Sequence, residues 1–180
     1  IPLKMRGGFH GASWRIQGRS VLVLSPSYGY SAGWLNDLLH ELGHTTQEPE
    51  LEERSIVEFE SITESRDEDP DEKDARLYAI DTTFRSLGEF LATECTRRAK
   101  SVENLKQVVL SVAEEFNVPS DSLALYLAYR MKSANWWGTA NNLQDKSSDP
   151  FKIAREKFIS SVDLSVLSPN DRAVLIQSLT

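Results

Sequence analysis

The 180-residue chain has one cysteine, no long apolar run and no basic tract. Cys95 cannot form a disulfide within the chain, which is typical of a protein from a reducing compartment. The longest apolar runs, such as residues 21–24, are far shorter than the roughly 20 residues that cross a bilayer. No charged segment followed by an apolar one opens the chain, so we predict no secretion signal. We therefore expect a cytoplasmic protein that does not bind membranes.

The composition, with 40% hydrophobic and 26% charged residues, is that of a folded globular protein. It excludes disordered, collagen-like and coiled-coil chains. A chain of this length buries most of its apolar residues without disulfides. We predict one domain over residues 1–135 and a helical extension, residues 136–180, packed on it. The chain opens at Ile1 rather than at methionine, which leaves room for an upstream domain outside this sequence.

Acidic residues are concentrated in one segment. Residues 48–74 hold 13 of the 27 acidic residues and only three basic ones. The rest of the chain has a slight basic surplus without any cluster of lysine and arginine, so we do not expect this chain to bind nucleic acid. A solvated loop is the simpler interpretation of the acidic segment. The alternative is that it attracts a basic protein.

The N-terminal pattern predicts a small β element followed by a helix. Two extended runs, residues 14–17 and 19–24, flank Gly18 and are typical of a hairpin. Apolar residues then recur at helical spacing over residues 34–44. The spacing of Ile56, Phe59 and Ile62 predicts a further short helix.

The rest of the chain is predicted to be helical. A long amphipathic helix is expected to start at an Asp71 N-cap and to continue to about Ala99. Further helices are predicted over residues 102–116, 119–131, 151–162 and 169–179. A polar connection is predicted over residues 135–150, and we expect Trp136 and Trp137 within it to pack against the protein interior. The fold class is therefore α+β, mostly α, with a small N-terminal antiparallel β element.

The sequence His40-Glu41-Leu42-Gly43-His44 is an H-E-x-x-H motif inside the first predicted helix. Residues four apart lie one turn above each other, so both imidazoles can reach one metal ion. Glu41 is rotated by roughly 100° from His40, which suits a general base that acts on water rather than a ligand. Catalytic zinc usually has three protein ligands, so a third ligand must come from elsewhere.

The third ligand is most economically a carboxylate, because only His10 and Cys95 remain among the histidines and cysteines. Glu72 has the best local argument, since small and apolar residues follow it on the next turns and can pack on the metal-site helix. Asp71 and Asp74 are neighbouring alternatives, and Glu94 is a more distant one. Two histidines and a glutamate suit Zn²⁺, but the set would also accept manganese or iron.

The chain resembles the ImmA/IrrE family of zinc metallopeptidases over about residues 14–135. The likeness rests on the helix over residues 34–44 and on a downstream E-x-x-A-x-x-Y-A pattern, which comprises Glu72, Ala75, Tyr78 and Ala79. Residues 116–130 are similar to the family's helix-turn-helix-like segment. The resemblance implies a zincin-like domain in which Glu72 is the third zinc ligand.

The resemblance also implies a function. Members of this family are cytoplasmic zinc endopeptidases that cleave helix-turn-helix repressors in phage, mobile-element or stress-response regulation. Glu41 would be the general base. Spacing does not choose the transition-state stabiliser, for which the candidates are Tyr28, Tyr30, Tyr78, His10 and Arg130.

The sequence is also compatible with two other functions. The first is a catalytically silent metal-binding module that sequesters a transcription factor or toxin partner. The second is a sensor portion of a longer regulator whose DNA-binding part precedes Ile1.

Overall fold

The computed structural model describes residues 1–3, 9–25, 29–59 and 69–179, with the backbone alone at residues 9, 10, 58 and 59. The strands in this part are β1 (Phe9–Ile16), β2 (Arg19–Leu24) and β3 (Arg54–Phe59). The helices are α1 (Ser31–Thr46), α2 (Pro70–Phe84), α3 (Gly88–Arg98), α4 (Leu105–Glu115), α5 (Ser120–Met131), α6 (Ala134–Leu143), α7 (Pro150–Ser161) and α8 (Pro169–Ser178), with 3₁₀ turns at Val102–Asn104 and Leu164–Val166. This architecture confirms the mostly helical α+β class.

The predicted hairpin is present as β1 and β2. Gln17 and Gly18 connect the strands with φ values of 51° and 71°, the left-handed conformations that two-residue hairpin turns require. β1 is the central strand of an antiparallel sheet with the order β2-β1-β3.

The short helix predicted around Ile56 is wrong, because residues 54–59 form the strand β3. Ile56 lies opposite Ser13 of β1, and Arg54 lies opposite Arg15. Apolar residues three apart in a short run do not distinguish a helix from a strand. The open edge of β1 supplies the hydrogen bonds, and the β-branched Ile56 and Val57 favour extended backbone. Ile62 lies outside the described residues.

The single long helix predicted from Asp71 to Ala99 is also wrong. Arg85 and Ser86 have φ values of 52° and 62°, which end α2 and start a new direction before α3. The turn lets Phe84 and Leu91 enter the same buried cluster. The predicted N-cap is two residues late: Asp69 accepts a hydrogen bond from the Asp71 amide, and Pro70 occupies the first turn.

The polar connection predicted over residues 135–150 contains α6. Trp136 and Ala140 of α6 are buried in the helical core, which confirms a packing role for Trp136. The polar residues that suggested a loop occupy the exposed face of this helix, as Asn141 and Asn142 do. The local sequence therefore did not predict this helix, because tertiary packing supplies much of its stability.

The main core lies between α3, α4, α5 and α6, and α1 connects it to the sheet. α1 packs against β1 and β2 with one face and against α2 with another. In the described part of the chain, no helix combines the length and the apolar composition that crossing a bilayer requires.

Candidate metal centre

The two helices that carry the predicted ligands cross at small residues. Gly43 of α1 faces Ala75 of α2, and a Cβ atom added to Gly43 would lie 2.8 Å from the Ala75 Cα and 3.0 Å from its carbonyl oxygen. Glu72 lies one turn before Ala75, and His44 follows Gly43 directly. The close approach of the backbones therefore brings Glu72 of α2 to the two histidines of α1.

The ligand atoms of His40, His44 and Glu72 converge. The two Nε2 atoms are 3.2 Å apart. Oε2 of Glu72 lies 3.3 Å from Nε2 of His40 and 3.9 Å from Nε2 of His44. A tetrahedral zinc ion with bonds of about 2.0–2.1 Å holds its ligand atoms about 3.3 Å apart, so this spacing and this donor set fit Zn²⁺. Among the described residues, no other set of three histidine, cysteine or carboxylate side chains gathers in this way.

The triad lies at the boundary between the interior and solvent. The side chain of His44 is fully buried, whereas those of His40 and Glu72 are 14% and 13% exposed. One side of the triad is therefore held in the protein, and the other side is partly exposed to solvent. Catalytic zinc sites keep such an open position, whereas structural sites are closed by a fourth protein ligand.

Glu41 is directed away from solvent beside the sheet. It is 1% exposed, and a Cβ atom added to Gly11 of β1 would lie 2.7 Å from Cδ of Glu41 and closer still to its Oε1. Only glycine at position 11 leaves the carboxylate this space. The strand β1 therefore limits where the Glu41 side chain can lie.

A second layer of polar contacts surrounds His44. Nδ1 of His44 lies 3.1 Å from Oε1 of Gln47, and Nη1 of Arg54 donates to that same oxygen at 2.9 Å. Arg54 also pairs with Glu48 and Asp71. Sequence reasoning missed Gln47, Arg54 and Gly11. The one available signal was that Gln47 lies a single helical turn beyond His44.

The other carboxylates considered as ligands lie elsewhere. Asp71 forms an ion pair with Arg54, and Glu94 pairs with Arg97 and Arg98 on α3. Asp74 is exposed. The structure therefore brings together Glu72, and not these alternatives, with the two histidines.

The candidates for a transition-state stabiliser divide into three groups. Tyr78 lies on the face of α2 that meets Gly43, and Tyr30 is the N-cap of α1, where burial and then the nearby Asp37 raise its pKa. Arg130 is held by Glu89 at 2.6 Å. Tyr28 and the side chain of His10 lie outside the described residues.

Comparison with protein-family models, with curated proteins and with solved structures finds no match to this chain.

Proposed function

We propose that this chain is a zinc-dependent metallopeptidase that hydrolyses a peptide bond in a protein substrate. The observation that carries the proposal is the convergence of two histidine nitrogens and one glutamate oxygen within 3.9 Å, beside a buried glutamate one residue after His40. The donor set fits zinc, and the partial exposure of His40 and Glu72 gives access to a substrate.

His40, His44 and Glu72 would hold the ion. When bound, Zn²⁺ supplies polarisation of a carbonyl group and lowers the pKa of an adjacent water to about 7. Glu41 accepts a proton from the attacking water as the new carbon–oxygen bond forms, and then gives that proton to the leaving amine as the carbon–nitrogen bond breaks. The surroundings of Glu41, next to Gly11 and shielded from solvent, restrict the carboxylate to few conformations before the reaction.

The substrate class that we propose, a helix-turn-helix repressor, follows from the resemblance to the ImmA/IrrE family. The charge near the triad supports it. Glu48 and Asp71 flank Arg54 next to His44, and both carboxylates are more than half exposed. Together with the Arg54 guanidinium, these two carboxylates carry a net charge of −1, which favours the approach of a basic protein such as a DNA-binding repressor.

Metal content tests whether the chain binds zinc through the proposed ligands. We expect about one zinc ion per chain in protein purified without chelator, and loss of this zinc in Glu72→Gln and His44→Ala. Asp74→Asn is the matched control, since it makes the same carboxylate-to-amide change on an exposed position of the same helix. Absence of bound metal in the wild type, after zinc has been supplied, would contradict the proposal.

Cleavage of a repressor tests whether the chain is a peptidase. The protein is incubated with purified helix-turn-helix repressors, and new termini are identified by mass spectrometry. Glu41→Gln should retain zinc and lose cleavage by a factor of at least about 10³. If the wild type instead bound zinc and the repressor but produced no new termini in the repressor, the chain would be a metal-binding module that acts by sequestration.

A further inference from the structure

The side chain of Gln47 joins three groups around the metal site. Its Oε1 lies 3.1 Å from Nδ1 of His44 and accepts a hydrogen bond from Nη1 of Arg54 at 2.9 Å. Its Nε2 donates to the carbonyl oxygen of Asp71 at 2.6 Å. Gln47 thus contacts a ligand histidine on one side and the backbone next to Glu72 on the other.

These partners determine the orientation of the Gln47 amide. A guanidinium group only donates hydrogen bonds and a carbonyl oxygen only accepts them, so Oε1 must face Arg54 and Nε2 must face Asp71. The atom of Gln47 beside His44 is therefore an acceptor. It follows that Nδ1 of His44 carries the proton in the neutral imidazole and that Nε2 presents its lone pair.

Arg54 maintains this orientation from β3. Its side chain is 11% exposed, and Nη1 also donates to the carbonyl oxygen of His44 at 2.8 Å. Nη2 donates to Oδ2 of Asp71 at 2.7 Å, and Nε lies 2.9 Å from Oε2 of Glu48. A single guanidinium therefore connects the end of the first ligand helix to the start of the second.

We propose that Gln47 is a positioning residue for the metal centre, and that Arg54 holds its amide in the required orientation. Gln47 selects the tautomer of His44 in which Nε2 is available as a ligand, at the point where Nε2 of His40 and Oε2 of Glu72 also lie. Hydrogen bonds of this kind fix ring orientation and raise the basicity of ligand histidines. The inference deepens the proposed function, on which it rests for the role of the metal.

The tautomer can be measured without metal. In the metal-free wild type, ¹⁵N chemical shifts of His44 in the neutral imidazole are expected to report the Nδ1–H form. In Gln47→Met, and equally in Arg54→Leu, we expect a mixture of the two tautomers. A proton on Nε2 in the wild type, or an unchanged Nδ1–H signal in both folded variants, would overturn the proposal.

Zinc affinity is the second readout, measured by competition with a chromophoric chelator. Gln47→Met is expected to bind Zn²⁺ about 10–100-fold more weakly than the wild type. Gln47→Glu, which keeps an acceptor for His44 and Arg54, should recover much of that loss. Gln107→Met makes the same change on an exposed position of α4 and should leave affinity unchanged.

The two readouts separate the failure of this inference from the failure of the proposed function. A wild type that binds no zinc would remove the peptidase proposal, while the ¹⁵N measurement would still test the role of Gln47. Equal zinc affinity in Gln47→Met and Gln107→Met, both folded with the melting temperature of the wild type, would overturn the role of Gln47 alone.

Discussion

Gly43 and Ala75 are in backbone contact, and this contact sets the distance between the two ligand helices. A Cβ atom on Gly43 would lie 2.8 Å from the Ala75 Cα, a separation that can be relieved only by moving α2 away from α1. Because Glu72 lies on α2 and His44 on α1, any such movement would separate the ligands. The absence of a side chain at position 43 therefore keeps the candidate ligand atoms of the two helices close together.

We therefore expect Gly43→Ala to weaken zinc binding by at least about tenfold and to destabilise the protein by about 1–3 kcal/mol, as overpacked contacts do. Alanine alone would favour the helix by about 1 kcal/mol. Gly138→Ala on α6 is the matched control, because nothing lies within 4 Å of its added Cβ. Urea denaturation and chelator competition check both values. Equal stability of the two variants would contradict the role of Gly43.

Gly11 provides the space for the Glu41 carboxylate, so Gly11→Ala should displace the proposed general base. We expect cleavage to fall by at least about 10²-fold while the zinc content stays that of the wild type, because the three ligands are not touched. The measurement combines elemental analysis with a single-turnover cleavage assay. Gly29→Ala, whose added Cβ meets nothing within 4 Å, should leave both quantities unchanged. Undiminished cleavage in Gly11→Ala would show that Glu41 tolerates another position.

Arg15 of β1 donates hydrogen bonds to the C-terminal end of α1 and to the segment that follows it. Its side chain is buried, and its two terminal nitrogens donate to four backbone carbonyl oxygens. These belong to Thr45, Gln47, Glu48 and Leu51. Arg15→Met should lower the free energy of unfolding by about 1–3 kcal/mol, because four partly buried carbonyl oxygens lose charge-assisted hydrogen bonds.

The control for Arg15→Met is Arg19→Met, since Arg19 is exposed on β2. That change should alter stability by less than about 0.5 kcal/mol. Denaturant unfolding followed by circular dichroism gives both values. If the two variants were equally stable, the carbonyl contacts of Arg15 would contribute nothing net to folding.

We expect the Cys95 thiol to lower the free energy of unfolding at alkaline pH. Burial raises the pKa of its thiol from 9.0 to about 11, with Arg98 opposing and Glu94 adding to the shift. Between pH 9 and 11 the folded state keeps the proton and the unfolded state releases it, so stability that is fully present below pH 9 is lost as pH rises. The slope is steepest near pH 10, at about 1.1 kcal/mol per pH unit.

Cys95→Ala should remove this contribution. We expect its free energy of unfolding to fall less steeply than that of the wild type between pH 9 and 10.5, with parallel curves below pH 8.5. Tyr126 and Tyr129, whose pKa values burial raises to about 12, contribute equally to both proteins. Parallel curves over the whole range would show that the folded protein exposes the thiol.

The local pattern determined the elements on which the site is built. The apolar spacing of residues 34–44 predicted a helix, and the structure has α1 there. Since residues four apart share a helix face, the motif alone brought His40 and His44 together. The small residues after Glu72 indicated close packing, and the structure brings Glu72 to both histidines.

Only the tertiary structure decided which distant residues meet. β3 is a strand because β1 presents an open edge, and α2 ends at Phe84 because Leu91 joins the same core as Phe84. Neither cause is present in the local sequence. The contacts of Arg54 with Gln47 and of Gly11 with Glu41 likewise join separate elements.

The physical reason is the range of the interactions. Helical periodicity and turn conformations depend on neighbours within about four residues, and the sequence displays those neighbours directly. Hydrogen-bond partners and backbone approaches depend on how whole elements pack. The sequence therefore determined the types of the candidate ligands and the helix of the two histidines, whereas packing decided the hydrogen-bond partners of Gln47, the space for Glu41 and the separation of the candidate ligand atoms.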